Sequence, residues 1–125
     1  MITILYIEDN PQNMRLVRKM LNSAGYHVLE ASDGASGLEM ARSAHPDIIL
    51  MDVNLPDIEG LELTRRMRQE EAFATMPIIA LTANAMHGDR ERCLEAGCSG
   101  YIPKPITKTE LLTTVAHFSA TVGQK

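Results

Sequence analysis

Residues 47–52 read Asp47-Ile48-Ile49-Leu50-Met51-Asp52, four apolar side chains in succession between two carboxylates. So short a run, apolar at nearly every position, suits a strand buried on both faces of a parallel sheet. We place the strand over Asp47 to Met51, with Asp52 just past its end. Working outward, Ile2 to Ile7, His27 to Ala31, Pro77 to Leu81 and Gly100 to Pro103 read as four further strands. Segments of helical period fill the gaps. The first begins at Asn10-Pro11, a capping residue followed by proline at the first helical position. It carries Met14, Val17, Leu21 and Ala24 on one side and ends at Gly25. The others are expected from Ser32-Asp33 to about Ser43, from about Glu59 to Glu70, from about Met86 to Ala96 before Gly97, and through Leu111, Leu112, Val115 and Phe118.

Five strand–helix units with short connections require right-handed crossovers and helices on both faces of the sheet. The expected fold is α/β, a flavodoxin-like (βα)5 doubly wound parallel sheet of strand order 2-1-3-4-5. With 125 residues, 45% hydrophobic and 22% charged, the chain builds one core, so residues 1–125 are expected to form a single domain without an effector domain. Apolar stretches of only four or five residues, and acids as early as Glu8 and Asp9, argue against a membrane span or a signal peptide. A cytoplasmic protein is expected. Twelve basic against 16 acidic residues leave a net charge of −4, which disfavours direct nucleic-acid binding, since phosphate contacts supply most of that affinity. Cys93 and Cys98 fit neither a disulfide framework nor a zinc site, and are expected reduced and packed. His27, His45, His87 and His117 lack metal-ligand spacing. The methionines read as core filling, Arg65, Arg66 and Arg68 as a solvated helix face, and Gln69 to Thr75 as an ordinary loop.

Chemistry gathers at the strand ends. Glu8 and Asp9 follow the first strand, Asp52 the third, Thr82 the fourth and Lys104 the fifth. In a doubly wound sheet all those ends share one edge, and ligands bind where the strand order reverses. Three carboxylates about 5 Å apart repel by roughly 3 kcal/mol per pair at an effective dielectric near 20. Raised pKa values, the Lys104 ammonium or a hard cation must offset that. An oxygen-only cluster selects Mg²⁺ over zinc or copper. A carboxylate beside such an ion can act as a nucleophile toward phosphorus.

At this point the residues resemble a family. Glu8-Asp9-Asn10, Met51-Asp52-Val53-Asn54-Leu55-Pro56 with Gly60, Leu81-Thr82-Ala83-Asn84 and Tyr101-Ile102-Pro103-Lys104-Pro105 are similar to the four signature blocks of the receiver domain of two-component response regulators. The resemblance runs from about Ile2 to Phe118. It implies that Asp52 accepts a phosphoryl group from a phosphohistidine on a histidine kinase or histidine phosphotransfer protein. It further implies that Asp9, Asp52 and the Asn54 carbonyl ligate Mg²⁺, with Glu8 acting through a bound water. Thr82 and Lys104 would each contact a phosphoryl oxygen, small Ala83 would keep the site open, and Lys104-Pro105 would be a cis peptide. Tyr101 matches the switch aromatic, which would turn into space vacated by Thr82 and alter the surface of the fourth helix, fifth strand and fifth helix for a downstream protein target. Asn54 and Asn84 occupy positions that influence how easily water reaches the phosphoryl group.

Two other functions compete. Asp52-Val53-Asn54 superficially resembles the Asp-x-Asp of small Mg²⁺-dependent phosphatases with an aspartate nucleophile, but there the motif lies on the first strand beneath a cap domain. A receiver-like binding module that is never phosphorylated is the third reading. The presence of Glu8, Asp9, Asp52, Thr82 and Lys104 together argues against it.

Overall fold

The computed structural model describes residues 1–83 and 88–122. Five parallel strands, β1 (Thr3–Ile7), β2 (His27–Ala31), β3 (Ile48–Asp52), β4 (Ile78–Thr82) and β5 (Gly100–Pro103), form one sheet in the order β2-β1-β3-β4-β5. The helices α1 (Pro11–Ser23), α2 (Gly34–Ala44), α3 (Gly60–Arg68), α4 (Arg90–Ala96) and α5 (Lys108–Val122) alternate with them. This is the expected doubly wound topology. The strands β3 and β4 each run one residue further than the sequence pattern suggests, because Asp52 pairs with Leu81 and Thr82 with Pro103. Both polar side chains are therefore the last residues of strands, not the first of loops.

Strand alternation sorts the core into layers. On one face Ile4, Tyr6, Ile48, Leu50, Ile79 and Leu81 pack with Met14, Val17 and Leu21 of α1 and Leu111 and Val115 of α5. On the other, Leu5, Ile7, Ile49, Met51 and Ile78 meet Ala41 of α2 and Leu63 and Met67 of α3. A third cluster joins Val53, Leu61, Ala80, Cys93, Ala96 and Cys98. At about 1.5–3 kcal/mol for each fully buried aliphatic side chain, the central strands carry most of the hydrophobic stabilisation.

The helix ends show why the chain turns where it does. Asn10 caps α1 by accepting from the N–H groups of Gln12 and Asn13, with Pro11 at the first helical position. Gly25 follows at φ 92°, a left-handed conformation that suits glycine. Ala24, expected on the buried side of α1, is instead the exposed residue that follows it at the C-cap. Asp33 caps α2 through the Ser36 N–H at 2.7 Å, and Asp57 reaches back from the β3–α3 loop to accept from Gly34 and Ala35 at 2.8 and 3.0 Å.

Two expectations are corrected between α3 and β4. The segment from Gln69 to Thr75 contains a 3-10 turn at Glu71–Phe73, whose aromatic ring is buried in the layer beneath α3. A single phenylalanine between Ala72 and Ala74 carries no periodicity that would reveal this. Arg68 is not a solvated residue either. Its guanidinium is half-buried, donating to the carbonyls of Phe73 and Gly97 and to Ser99 Oγ, whereas Arg65 and Arg66 stay exposed beside Glu62. Burial lowers the Arg68 pKa from its ordinary value. The expected start of the fourth helix at Met86, and the residues Asn84 and His87, lie outside the described residues. Within them, Met14, Met51 and Met67 are buried, and Met20, Met40 and Met76 pack at the core margin. His27, His45 and His117 are exposed, and both cysteines are free and buried.

One glycine couples this scaffold to the strand end that bears Asp52. A Cβ at Gly60 would lie 2.4 Å from the Asp52 carbonyl oxygen and 2.9 Å from Val53 Cα, both backbone atoms that cannot yield. Gly60→Ala is expected to destabilise the protein by about 1–3 kcal/mol through overpacking. In urea unfolding that appears as a lower midpoint at unchanged slope.

Candidate functional site

The carboxylates converge because β1 and β3 are adjacent and in register, Ile7 lying opposite Met51. One oxygen each from Glu8, Asp9 and Asp52 lies within 4.8 Å of the others. Glu8 and Asp52 are buried, at 2% and 3% exposure, while Asp9 faces solvent. Both oxygens of Asp52 are engaged. Its Oδ1 accepts from the backbone N–H of Asn54 at 3.0 Å, and its Oδ2 accepts from Lys104 Nζ at 3.0 Å. Lys104 follows β5, its N–H tied to the Thr82 carbonyl at 2.8 Å, and the Lys104-Pro105 peptide is cis.

Glu8 is held from two sides. The Tyr6 hydroxyl donates to Oε1 at 3.0 Å from inside the core, and the Asn10 N–H donates to Oε2 at 3.2 Å. Burial, followed by the influence of Asp52, pushes the Glu8 pKa up to about 7. Burial and Glu8 also raise the Tyr6 phenol well above its ordinary value, so it stays a donor. Neither Tyr6 nor its role appeared in the sequence reading. The signal was present, a tyrosine two residues before Glu8 and therefore on the same side of β1, but it reads as one more core residue.

Thr82 ends β4 almost fully buried, and its hydroxyl donates to Asp89 Oδ2 at 2.5 Å. Asp89 in turn accepts from Arg92 Nη1 at 2.8 Å, and Arg92 Nη2 reaches Glu59 Oε1 at 3.2 Å. Asp89 was missed as well. It falls inside the span expected for the fourth helix, where nothing singles it out; in the structure it has helical backbone angles just before α4 and makes no side-chain cap bond. Glu59, at the corresponding place before α3, does not cap either and faces Arg92 instead. Ala83 is exposed beside Thr82, and Asn54 is exposed after Asp52. Tyr101 is half-buried on β5 against the cluster of Val53, Leu61, Ala80, Cys93, Ala96 and Cys98.

The donors suit a hard cation. All three are carboxylate oxygens, two desolvated and one open to water, and with Lys104 as counter-charge the fully ionised set still carries two excess negative charges. At 4.8 Å each pair repels by roughly 3 kcal/mol at an effective dielectric near 20. Magnesium, which accepts one or two carboxylates and keeps several waters, fits such a half-open site.

Comparison with known proteins settles the family. The model for the response regulator receiver domain matches residues 4–116. The chain belongs to the response regulator receiver family. The receiver is 40% identical over 116 residues to the polar-differentiation response regulator DivK of Brucella ovis, covering 93% of this chain and 94% of that protein. Its fold superposes on a chemotaxis response regulator of Vibrio cholerae with a TM-score of 0.89 at 30% identity, covering 94% and 98% of the two chains. A receiver domain of a sensor histidine kinase from Pseudomonas aeruginosa PAO1 is 42% identical, with a TM-score of 0.87 and coverage of 94% and 97%. That structure holds a magnesium ion coordinated in its active-site cleft. Receiver domains work with histidine kinases and downstream targets, and the acidic pocket of this one fits a Mg²⁺-binding phosphoacceptor site. The phosphatase alternative falls with the family assignment. Among the described residues, no helix is long and apolar enough to cross a membrane.

The raised Glu8 pKa has a consequence for stability. Between its ordinary value of 4.5 and about 7, native Glu8 retains a proton that the unfolded chain has lost. Stability of the metal-free receiver therefore falls as pH rises through that window. In chelator, urea midpoints are expected to decline from about pH 5 to about pH 7.5, and Glu8→Gln to flatten the decline.

Proposed function

We propose that Asp52 is the phosphoacceptor of a phosphorelay or two-component system and that its phosphorylation is catalysed by the receiver itself. The observation that carries this reading is the placement of Asp52. It is a buried carboxylate at a strand end, bonded at 3.0 Å to Lys104, with oxygens of Glu8 and Asp9 within 4.8 Å. Asp9, Asp52 and the Asn54 carbonyl would hold Mg²⁺, with Glu8 acting through a water. The ion would supply charge neutralisation for phosphoryl oxygens.

The receiver's own residues do the remaining work. The Asn54 N–H fixes one oxygen of Asp52, which orients the carboxylate for in-line attack on phosphorus. Lys104 then exchanges its bond to Asp52 for one to a phosphoryl oxygen, and Thr82 donates its hydroxyl to another. Turning Thr82 opens space for Tyr101, so the charge of about −1.5 to −2 added at Asp52 is read out on α4, β5 and α5. The donor would be a phosphohistidine on a histidine kinase or histidine phosphotransfer protein, whose P–N bond breaks as the Asp52 O–P bond forms, the imidazole nitrogen leaving with the electron pair; the reader would be a downstream protein that favours one of the two surfaces. The net charge of −4 supports a protein reader over direct nucleic-acid contact. In the same proposal the chain acts in the cytoplasm as a single receiver domain, supported by the 94% of DivK's length that it matches.

With Mg²⁺ and acetyl phosphate the protein is expected to gain one base-labile phosphoryl group by intact-mass spectrometry, and Asp52→Asn to gain none. An unmodified wild type would instead support the unphosphorylated binding module. In Lys104→Ala, phosphorylation is expected to leave the amide shifts around Tyr101 in place. Normal movement of those shifts would remove Lys104 from the coupling.

A further inference from the structure

A second polar cluster adjoins the first through Thr82. Its hydroxyl donates to Asp89 at 2.5 Å, within the range of charge-assisted hydroxyl–carboxylate bonds. Asp89 is 3% exposed and caps nothing. Its second oxygen accepts from Arg92 at 2.8 Å, and Arg92 is tied at 3.2 Å to Glu59, the residue before Gly60. A buried carboxylate at the start of a helix is thus committed to the hydroxyl at the end of β4 and anchored to the loop that leaves β3.

A threonine hydroxyl has one proton to donate. It cannot serve Asp89 and a phosphoryl oxygen on Asp52 at the same time. We propose that Asp89 is a positioning residue that holds the Thr82 hydroxyl in the resting protein, so that the Asp89–Arg92–Glu59 chain sets how readily Thr82 turns to a phosphoryl group on Asp52. This rests on Asp52 being the phosphoacceptor.

The competition is balanced by design of the partners. When Thr82 leaves, Asp89 keeps Arg92 and is not orphaned, so release costs one hydrogen bond rather than a buried unpaired charge. A gap that small leaves both positions of Thr82 within reach. Because Asp89 immediately precedes α4, its release also frees the start of that helix, and because Arg92 bridges to Glu59, the loops after β3 and β4 respond together.

The test uses Asp89→Asn, nearly isosteric but without the charged acceptor. Phosphorylation of the Mg²⁺-loaded protein by acetyl phosphate, followed by intact mass, is expected to run about tenfold faster, equivalent to about 1.4 kcal/mol. In a Thr82→Ala background the same substitution is expected to change nothing, because the residue it acts through is gone. Equal acceleration in both backgrounds would mark a general loss of negative charge near the site and overturn the proposal, as would no acceleration at all. Arg92→Gln, a change at a half-exposed side chain, is expected to give a smaller acceleration of the same sign, and an unchanged or slower rate there counts against the chain. The resting contact is read separately in the unphosphorylated protein. A slowly exchanging, downfield Thr82 hydroxyl proton is expected by NMR in the wild type and not in Asp89→Asn. Its absence from the wild type overturns the Asp89 contact even if Asp52 takes up phosphate. A wild type that shows the hydroxyl signal but gains no mass overturns the phosphoacceptor reading instead, and the switching role with it.

Discussion

Glu8, Asp9 and Asp52 are crowded together because β1 and β3 are parallel neighbours in register, and the chain has no freedom to part them without unpairing the sheet. The strands that impose the crowding are buried on both faces and carry the centre of the hydrophobic core. Repulsion of a few kcal/mol per pair is therefore small against the packing that enforces it. The fold can sustain an electrostatically unfavourable site because the strain is local and the restraint is global. Each acid has its own local relief: Lys104 on Asp52, a pKa raised by burial on Glu8, and solvent on Asp9.

The restraint extends to the loops. Gly60 lets α3 begin against the carbonyl of Asp52 itself, and Asp57, three residues earlier, reaches across to cap α2. The β3–α3 loop is thereby fixed at both ends, which places the Asn54 N–H on Asp52 Oδ1. On the far side Arg68 stitches the end of α3 to the turn containing Phe73 and to the α4–β5 connection at Gly97.

How much of this is legible in the sequence follows from how each feature is encoded. The strands, their order, the convergence of Glu8, Asp9, Asp52 and Lys104, and the place of Thr82 at the end of the adjoining strand rest on periodicity and chain order, and were readable from residues such as Ile48 to Asp52. The exact last residue of β3 and β4 was not, because a polar side chain can close a strand as well as open a loop, and only pairing with Leu81 and Pro103 decides. Phe73, Arg68 and Asp89 were opaque for another reason. Each takes its role from a partner far away in sequence or from a side chain that satisfies something other than its own helix, and local pattern carries no trace of that. An aspartate within an expected helix looks the same whether its carboxylate faces water or turns to Thr82.

The three strand ends differ in what they can give up. Asp52 is bound by a backbone N–H that stays and an ammonium that can re-pair, so it can change chemical state without moving. Glu8 is pinned by Tyr6 from within the core and by Asn10 from α1, so it can exchange a proton but not a position. Thr82 alone has a hydroxyl that can rotate between acceptors, and its present acceptor, Asp89, keeps a cation when it is left. Under the proposed function, a change in charge at Asp52 would therefore be converted into a change of geometry only at Thr82. That asymmetry follows from the bonds themselves: Asp52 and Glu8 are each held from two sides, whereas the Thr82 hydroxyl donates to an acceptor that keeps its own cation.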